Sequence, residues 1–276
     1  MSSRPRFTQR ARHFRFATLR WILACSALPF PSLLRTSATM KTSASLHRGL
    51  VAAMVGASIA CAGVPPASVT PAGGVTQSIN TEELAVAPDS VADRLLTDVR
   101  SASPEIRVGL RYATTDNFTG AVLPGYEANR AFLRHEATSA LARVAKRAAD
   151  EGLALYVFDA YRPVRATLAM VDWARRMGRL DLFRDGYIAS RSRHNLGLAI
   201  DLTLVDSRSG VPLDMGTPFD TFSSAAHTAN ADGGVLERRL RLKRLMEAEG
   251  FVNYEQEWWH YTFDVPNPVR FDRVIR

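Results

Sequence analysis

The seven residues Leu198-Ala199-Ile200-Asp201-Leu202-Thr203-Leu204 constrain the fold more than any other stretch of the chain. Their period-two alternation predicts a buried strand, with Leu198, Ile200, Leu202 and Leu204 on one face and Ala199, Asp201 and Thr203 on the other. An ionised aspartate in such a run is costly to bury without a partner. The smaller, more polar face therefore reads as the floor of a cleft, with Asp201 engaged there. His194 lies seven residues upstream, and Gly197 relaxes the backbone between them. A turn at that glycine can bring His194 back over the same face.

The segment 257–265, Glu-Trp-Trp-His-Tyr-Thr-Phe-Asp-Val, predicts a second such strand, ending before Pro266. Trp259, Tyr261 and Phe263 share one face; His260 shares the other with Trp258 and Thr262. Together, His194, Asp201 and His260 supply nitrogen, oxygen and nitrogen donors and leave one tetrahedral position on a zinc ion open. Water in such a position has its pKa lowered towards neutrality. Glu257, three residues before His260, is placed to take that water's proton if the strand begins with a turn or bulge. A single histidine in a strand is most often structural, and a buried aspartate can be a hydrogen-bond hub. The combination points instead to a metal-dependent hydrolase. A third motif, Asp159-Ala160-Tyr161-Arg162-Pro163, closes another strand. There Asp159 is positioned to orient Arg162, whose guanidinium can grip a developing oxyanion. An ordinary surface salt bridge is the competing reading.

The other elements follow from periodicity and punctuation. A strand is expected over 105–114, with Ile106, Val108, Leu110 and Tyr112 on one face, and a Gly/Pro loop over 116–128. A helix from about Arg130 to Glu151 stops at Gly152. A strand over 153–163 ends at Pro163, and a helix runs from about Val164 to Met177. A second Gly/Pro loop covers 210–222, and a charged helix over 236–249 closes at Gly250. Helices fall between strands without a regular βαβ rhythm, so the fold class is α+β.

The formal net charge of +8 would suit a polyanion binder, but its distribution does not. Residues 1–60 hold nine of the 35 Lys/Arg and no Asp or Glu, leaving 26 basic against 27 acidic side chains beyond them. The folded part has no global pull towards nucleic acid. The only cysteines are Cys25 and Cys61, which removes a cysteine nucleophile, a zinc-thiolate site and a disulfide from the body of the protein. From Met40 onward, Lys41 and Arg48 precede a short apolar run, Leu50–Ala60, and small residues at 60–62. This pattern fits a bacterial export signal and is too short for a stable membrane span. Cleavage before Cys61 would leave a lipidated N-terminus; cleavage after the triplet at 60–62 would leave a soluble one. Met40 as the true start and a longer leader from Met1 both remain open. The expected organisation is a leader at 1–61, a flexible tether at 62–87 and a folded domain at 88–276. The expected location is the periplasm or cell envelope, with membrane contact only through a lipid on Cys61.

With these motifs the chain resembles the zinc D-alanyl-D-alanine dipeptidases, including the vancomycin-resistance type. The resemblance rests on Ser-x-His-x6-Asp (Ser192, His194, Asp201) and Glu-x-Trp-His (Glu257, Trp259, His260). The segments 110–120, 159–163, 192–204 and 213–220 match in the same order, and coverage runs over 88–276. It implies a hedgehog-like α+β fold with a central antiparallel sheet. It implies one zinc held by His194, Asp201 and His260, Glu257 as general base and Arg162 stabilising the tetrahedral intermediate. Asp220 matches the position that helps hold the substrate's free ammonium; Ser192, Tyr112 and Tyr126 are further pocket candidates. His135 and His227 match no ligand position, and Ala160 stands where glycine is expected. The implied reaction is hydrolysis of the small dipeptide D-Ala-D-Ala to two D-Ala. A D,D- or L,D-carboxypeptidase acting on peptidoglycan stems and a non-catalytic wall-binding module are the alternatives. Oligomeric state is not legible.

Overall fold

A computed structural model describes residues 85–276. The leader, Cys25, Cys61 and all but the end of the tether lie outside the described residues. In chain order the strands are β1 (Val86–Ala87), β2 (Leu96–Asp98), β3 (Arg107–Val108), β4 (Phe132–Arg134), β5 (Leu153–Asp159), β6 (Ala199–Asp206), β7 (Val252–Asn253), β8 (His260–Thr262) and β9 (Arg270–Phe271). The α-helices are α1 (Asp89–Leu95), α2 (Val99–Ala102), α3 (His135–Asp150), α4 (Val164–Arg176), α5 (Asp181–Arg184) and α6 (Gly233–Glu247). The class is α+β, as the patterning predicts.

The long apolar runs form the middle of a five-stranded sheet ordered β3-β5-β6-β8-β7. β5–β6, β6–β8 and β8–β7 pair antiparallel, whereas β3 pairs parallel to β5. The sheet is therefore mixed rather than uniformly antiparallel. Ile200, Leu202 and Leu204 enter the main core with Leu155 and Val157; Leu198 instead joins a small cluster with Leu196 and Val265. α3 covers β5 with Ala137, Leu141, Val144 and Ala148, one stripe at helical spacing. α6 packs on α3 and beside β7 through Leu242, Leu245 and Met246.

Four expectations need correction. The strand over 105–114 shrinks to Arg107–Val108, followed by a 3-10 turn at Arg111–Ala113. The Asn129 side chain donates to the Val108 carbonyl and accepts from the Leu110 N–H, taking the place of a partner strand. The helix expected from Arg130 begins at His135, because Phe132–Arg134 pair with β2. The aromatic strand over 257–265 shortens to His260–Thr262. Its first residues form turns in which the Glu257 N–H donates to the Tyr254 carbonyl and the His260 N–H to the Glu257 carbonyl. Trp258 consequently leaves the face expected for it and joins the main core. Finally, Val86 and Ala87 pair parallel with Arg270 and Phe271, so ordered pairing starts two residues before the expected boundary.

The turn before β6 forms as expected. A 3-10 turn spans Arg193–Leu196, the Ser192 hydroxyl accepts from the His194 N–H, and Gly197 closes it at φ 66°. A Cβ on Gly197 would lie 2.5 Å from a Leu96 methyl and 3.2 Å from the Arg134 nitrogen. Gly197→Ala is expected to cost about 2 kcal/mol, from the left-handed backbone and the crowding together. Urea unfolding checks this; an unchanged midpoint would contradict it.

Candidate metal centre

Strand register assembles most of the site. Asp159 on β5 lies opposite Asp201 on β6, which lies opposite His260 on β8. Directly paired residues project to the same face, so the three stand in a row. The row depends on one irregularity: the β5–β6 register shifts between Val157 and Asp159, and without it Phe158 would face Asp201.

His194 reaches the row from the turn. Its Nε2 lies 3.2 Å from His260 Nδ1 and 3.4 Å from Asp201 Oδ2, and His260 Nδ1 lies 2.9 Å from Asp201 Oδ1. One donor atom from each residue falls within 4.8 Å of the others. His194 Nδ1 sits 2.6 Å from the Ala160 carbonyl, which can only accept. That nitrogen therefore carries the proton, and the Nε2 lone pair faces the cluster. The Arg162 N–H donates to the His194 carbonyl, and Asn195 Nδ2 donates to the Arg162 carbonyl and to Thr167 Oγ1. These bonds lock the turn to the end of β5 and the start of α4.

The donor set and the charge balance both fit a divalent cation. Two imidazole nitrogens and a carboxylate converge, a combination suited to zinc. Asp159, Asp220 and Glu257 stand near Arg162 and Asp201, and all three carboxyls are raised, first by burial and also by the Asp201 charge. Glu257 is pushed well above the ordinary glutamate range, first by burial, then by Asp201 and Asp220, against the pull of Arg162. Asp220 is raised by burial and by Asp201. Burial would raise Asp201 too, but His194 and His260 hold it below the usual carboxylate range. Burial lowers His260, favouring the neutral imidazole that a ligand requires.

All of these groups except Asp159, which is buried behind Arg162, border one cavity of about 470 Å³, ample for a small ligand. Glu257 Oε2 lies 3.8 Å from His260 Nδ1, brought there by the turn at 254–260. Arg162 is held as the sequence suggested: its Nε donates to Asp159 Oδ2 at 2.9 Å, and its guanidinium stacks over the Tyr112 ring at 5.0 Å. Arg162 Nη2 approaches Asp201 Oδ2 at 3.7 Å. Asp220 adopts φ 61° and accepts from the Tyr112 hydroxyl at 3.0 Å. Ser192 lines the cavity as well as capping the turn. Tyr126 does not line it; its hydroxyl donates to Asp159 Oδ1 at 2.6 Å, behind Arg162. His135 is exposed at the start of α3, and His227 contacts the Tyr187 hydroxyl rather than the cluster. Sequence patterning missed Asn195, Tyr187 and Tyr254. The two tyrosines line the cavity from loops, where no periodicity marks them. Asn195 carries a signal only through its place beside His194.

A family model described as "D-ala-D-ala dipeptidase" matches residues 93–270. The chain belongs to the D-Ala-D-Ala dipeptidase family. A D-alanyl-D-alanine dipeptidase of Enterococcus faecium is 37% identical over 180 residues, covering 59% of this chain and 89% of the relative. One from Escherichia coli is 33% identical over 178 residues, covering 64% of this chain and 87% of the relative. Among solved structures, a zinc complex of a variant of the vancomycin-resistance D,D-pentapeptidase VanY aligns with a TM-score of 0.33 at 16% identity. That alignment covers 49% of this chain and 75% of the other.

The raised pKa of Glu257 has a consequence for stability. A carboxyl that is harder to ionise when folded stabilises the fold fully below its unfolded pKa and loses that contribution as pH rises. Glu257→Gln should therefore make the metal-free protein more resistant to urea at neutral pH. That gain should fade to nothing near pH 4. Midpoints measured with a chelator at both pH values check this; equal midpoints at neutral pH would contradict it.

Proposed function

We propose that the protein is a zinc-dependent hydrolase that cleaves D-Ala-D-Ala to two D-Ala, with one zinc per chain held by His194, Asp201 and His260. The observation that carries this reading is the convergence of those three donors with Glu257 and Arg162 on one cavity, in a chain of this family. When bound, zinc supplies Lewis acidity towards the peptide carbonyl and lowers the pKa of water at its open position.

The chain's own groups do the rest. Glu257 takes a proton from the attacking water and returns it to the leaving amine. Burial raises its pKa above the ordinary glutamate range, which suits a group that must give a proton back as well as accept one. Arg162 meets the negative charge that develops on the carbonyl oxygen, and Asp159 with Tyr126 behind it fixes the guanidinium's aim. Asp220, oriented by Tyr112, receives the substrate's free ammonium. Ser192 lines the substrate's side of the cavity. A carboxylate set to meet a free amine favours a dipeptidase over a carboxypeptidase acting on long stems. Glu257 and Arg162 beside the donor set favour an enzyme over a wall-binding module.

The finer fold reading is the hedgehog/D-Ala-D-Ala-peptidase type, supported by the family match and the α+β sheet. The export pattern at 40–62 supports a periplasmic or envelope location, with a soluble form and a form lipidated at Cys61 as the two end states. In that compartment, dipeptide from peptidoglycan turnover is a reasonable substrate.

Release of free D-Ala from D-Ala-D-Ala, against stem pentapeptide and with or without chelator, tests the activity. Cleavage of the dipeptide alone, abolished by chelator, is expected; preference for the pentapeptide would overturn the dipeptidase reading. Glu257→Ala should lower kcat by on the order of a thousandfold with metal retained. His194→Ala should lose the metal itself, read by elemental analysis. Arg162→Gln should cost kcat roughly a hundredfold or more.

A further inference from the structure

Arg239 lies on α6, does not line the cavity, and is 1% exposed. A buried guanidinium is ordinarily matched by a carboxylate. Among the described residues none pairs with Arg239; its partners are four main-chain carbonyls. Nε donates to Met215 at 2.8 Å, Nη2 to Ala225 at 3.0 Å, and Nη1 to His227 at 2.7 Å and Asn230 at 3.4 Å. Met215 lies on the leading leg of segment 214–230; Ala225, His227 and Asn230 lie on the returning leg. Between the legs are Phe219, Asp220 and Phe222, of which Asp220 and Phe222 line the cavity.

This segment has little structure of its own beyond a 3-10 turn at Ser224–Ala226. Its buried carbonyls need donors. Five N–H groups in a rigid fork serve several at once, which the single ammonium of lysine cannot do with the same spread. On its other side the segment is tied to the Glu257 turn, where Trp258 Nε1 donates to Thr217 Oγ1 at 2.9 Å. Phe219 stacks on Phe158 and meets Trp259 edge-on. We propose that Arg239 is a positioning residue that clamps the two legs of segment 214–230 and thereby holds Asp220 at the cavity wall. The substrate consequence rests on the reading of Asp220 as the ammonium site.

Three variants and two substrates test this. The substrates are D-Ala-D-Ala and propionyl-D-Ala, which is the same molecule without the ammonium. Arg239→Lys should raise KM for D-Ala-D-Ala on the order of tenfold while kcat stays within about twofold, the signature of lost ground-state binding. Preference for the ammonium-bearing substrate should fall in Arg239→Lys as it does in Asp220→Asn. The double variant should add little. Amide exchange should quicken across 215–230 and not in β5 or β6. Gly216→Ala presses on the same junction without removing the buried charge. Its Cβ would lie 2.7 Å from a Val235 methyl and 3.4 Å from Arg239 Nη2, at φ 81°. It should give the same KM and exchange pattern even if Arg239→Lys does not fold.

If Asp220→Asn loses the preference while Arg239→Lys and Gly216→Ala keep it, the clamp is overturned and the ammonium reading stands. If Asp220→Asn keeps the preference, the ammonium reading fails. The clamp then stands on loosened exchange with a raised KM in the Arg239 or Gly216 variant, and falls if both are unchanged.

Discussion

The site depends on one extra residue in one strand. The shift between Val157 and Asp159 sets Asp159, rather than Phe158, beside Asp201 and His260 across three strands. Phe158, displaced from that row by the bulge, packs beside Tyr156 and stacks on Phe219. The carboxylate beside Asp201 and the place of Phe158 against Phe219 both follow from a single register change.

The electrostatics of the cavity follow from that row. Carboxylates this close and this dry raise one another's pKa unless cations answer them. Arg162 answers one side, held by Asp159, whose other oxygen takes the Tyr126 hydroxyl. The opposite side, between His194, Asp201 and His260, is where a divalent ion fits. Glu257 and Asp220 stand at the edges of this balance, and both resist ionisation, first because they are buried and then because Asp201 is near.

What the chain spells out locally was legible. β5, β6, α4 and the glycine-closed turn at 192–197 follow from alternation, proline and glycine placement, and their residues come together as expected. The errors arose where a distant partner decided the outcome. Asn129 ended the strand at Val108, β2 captured Phe132–Arg134, and the Glu257 turn drew Trp258 into the core. Tyr112 lines the cavity whereas Tyr126 stands behind Arg162 on Asp159, a distinction that the local sequence around the two tyrosines does not carry. Arg239 reads as one more charge on a charged helix, since nothing local reveals that its donors are taken by carbonyls 9 to 24 residues upstream.

The bond from His194 to the Ala160 carbonyl and the anchoring of Asn195 to the start of α4 bear on how a metal is acquired. With one imidazole already fixed in tautomer and the other in hydrogen-bonding distance of Asp201, the loss of ligand freedom occurs when the chain folds. Capture of the ion then needs little further ordering, so affinity reflects coordination almost undiminished by conformational entropy. A scaffold of this kind can release and rebind its ion without unfolding, unlike small domains whose fold exists only around the metal.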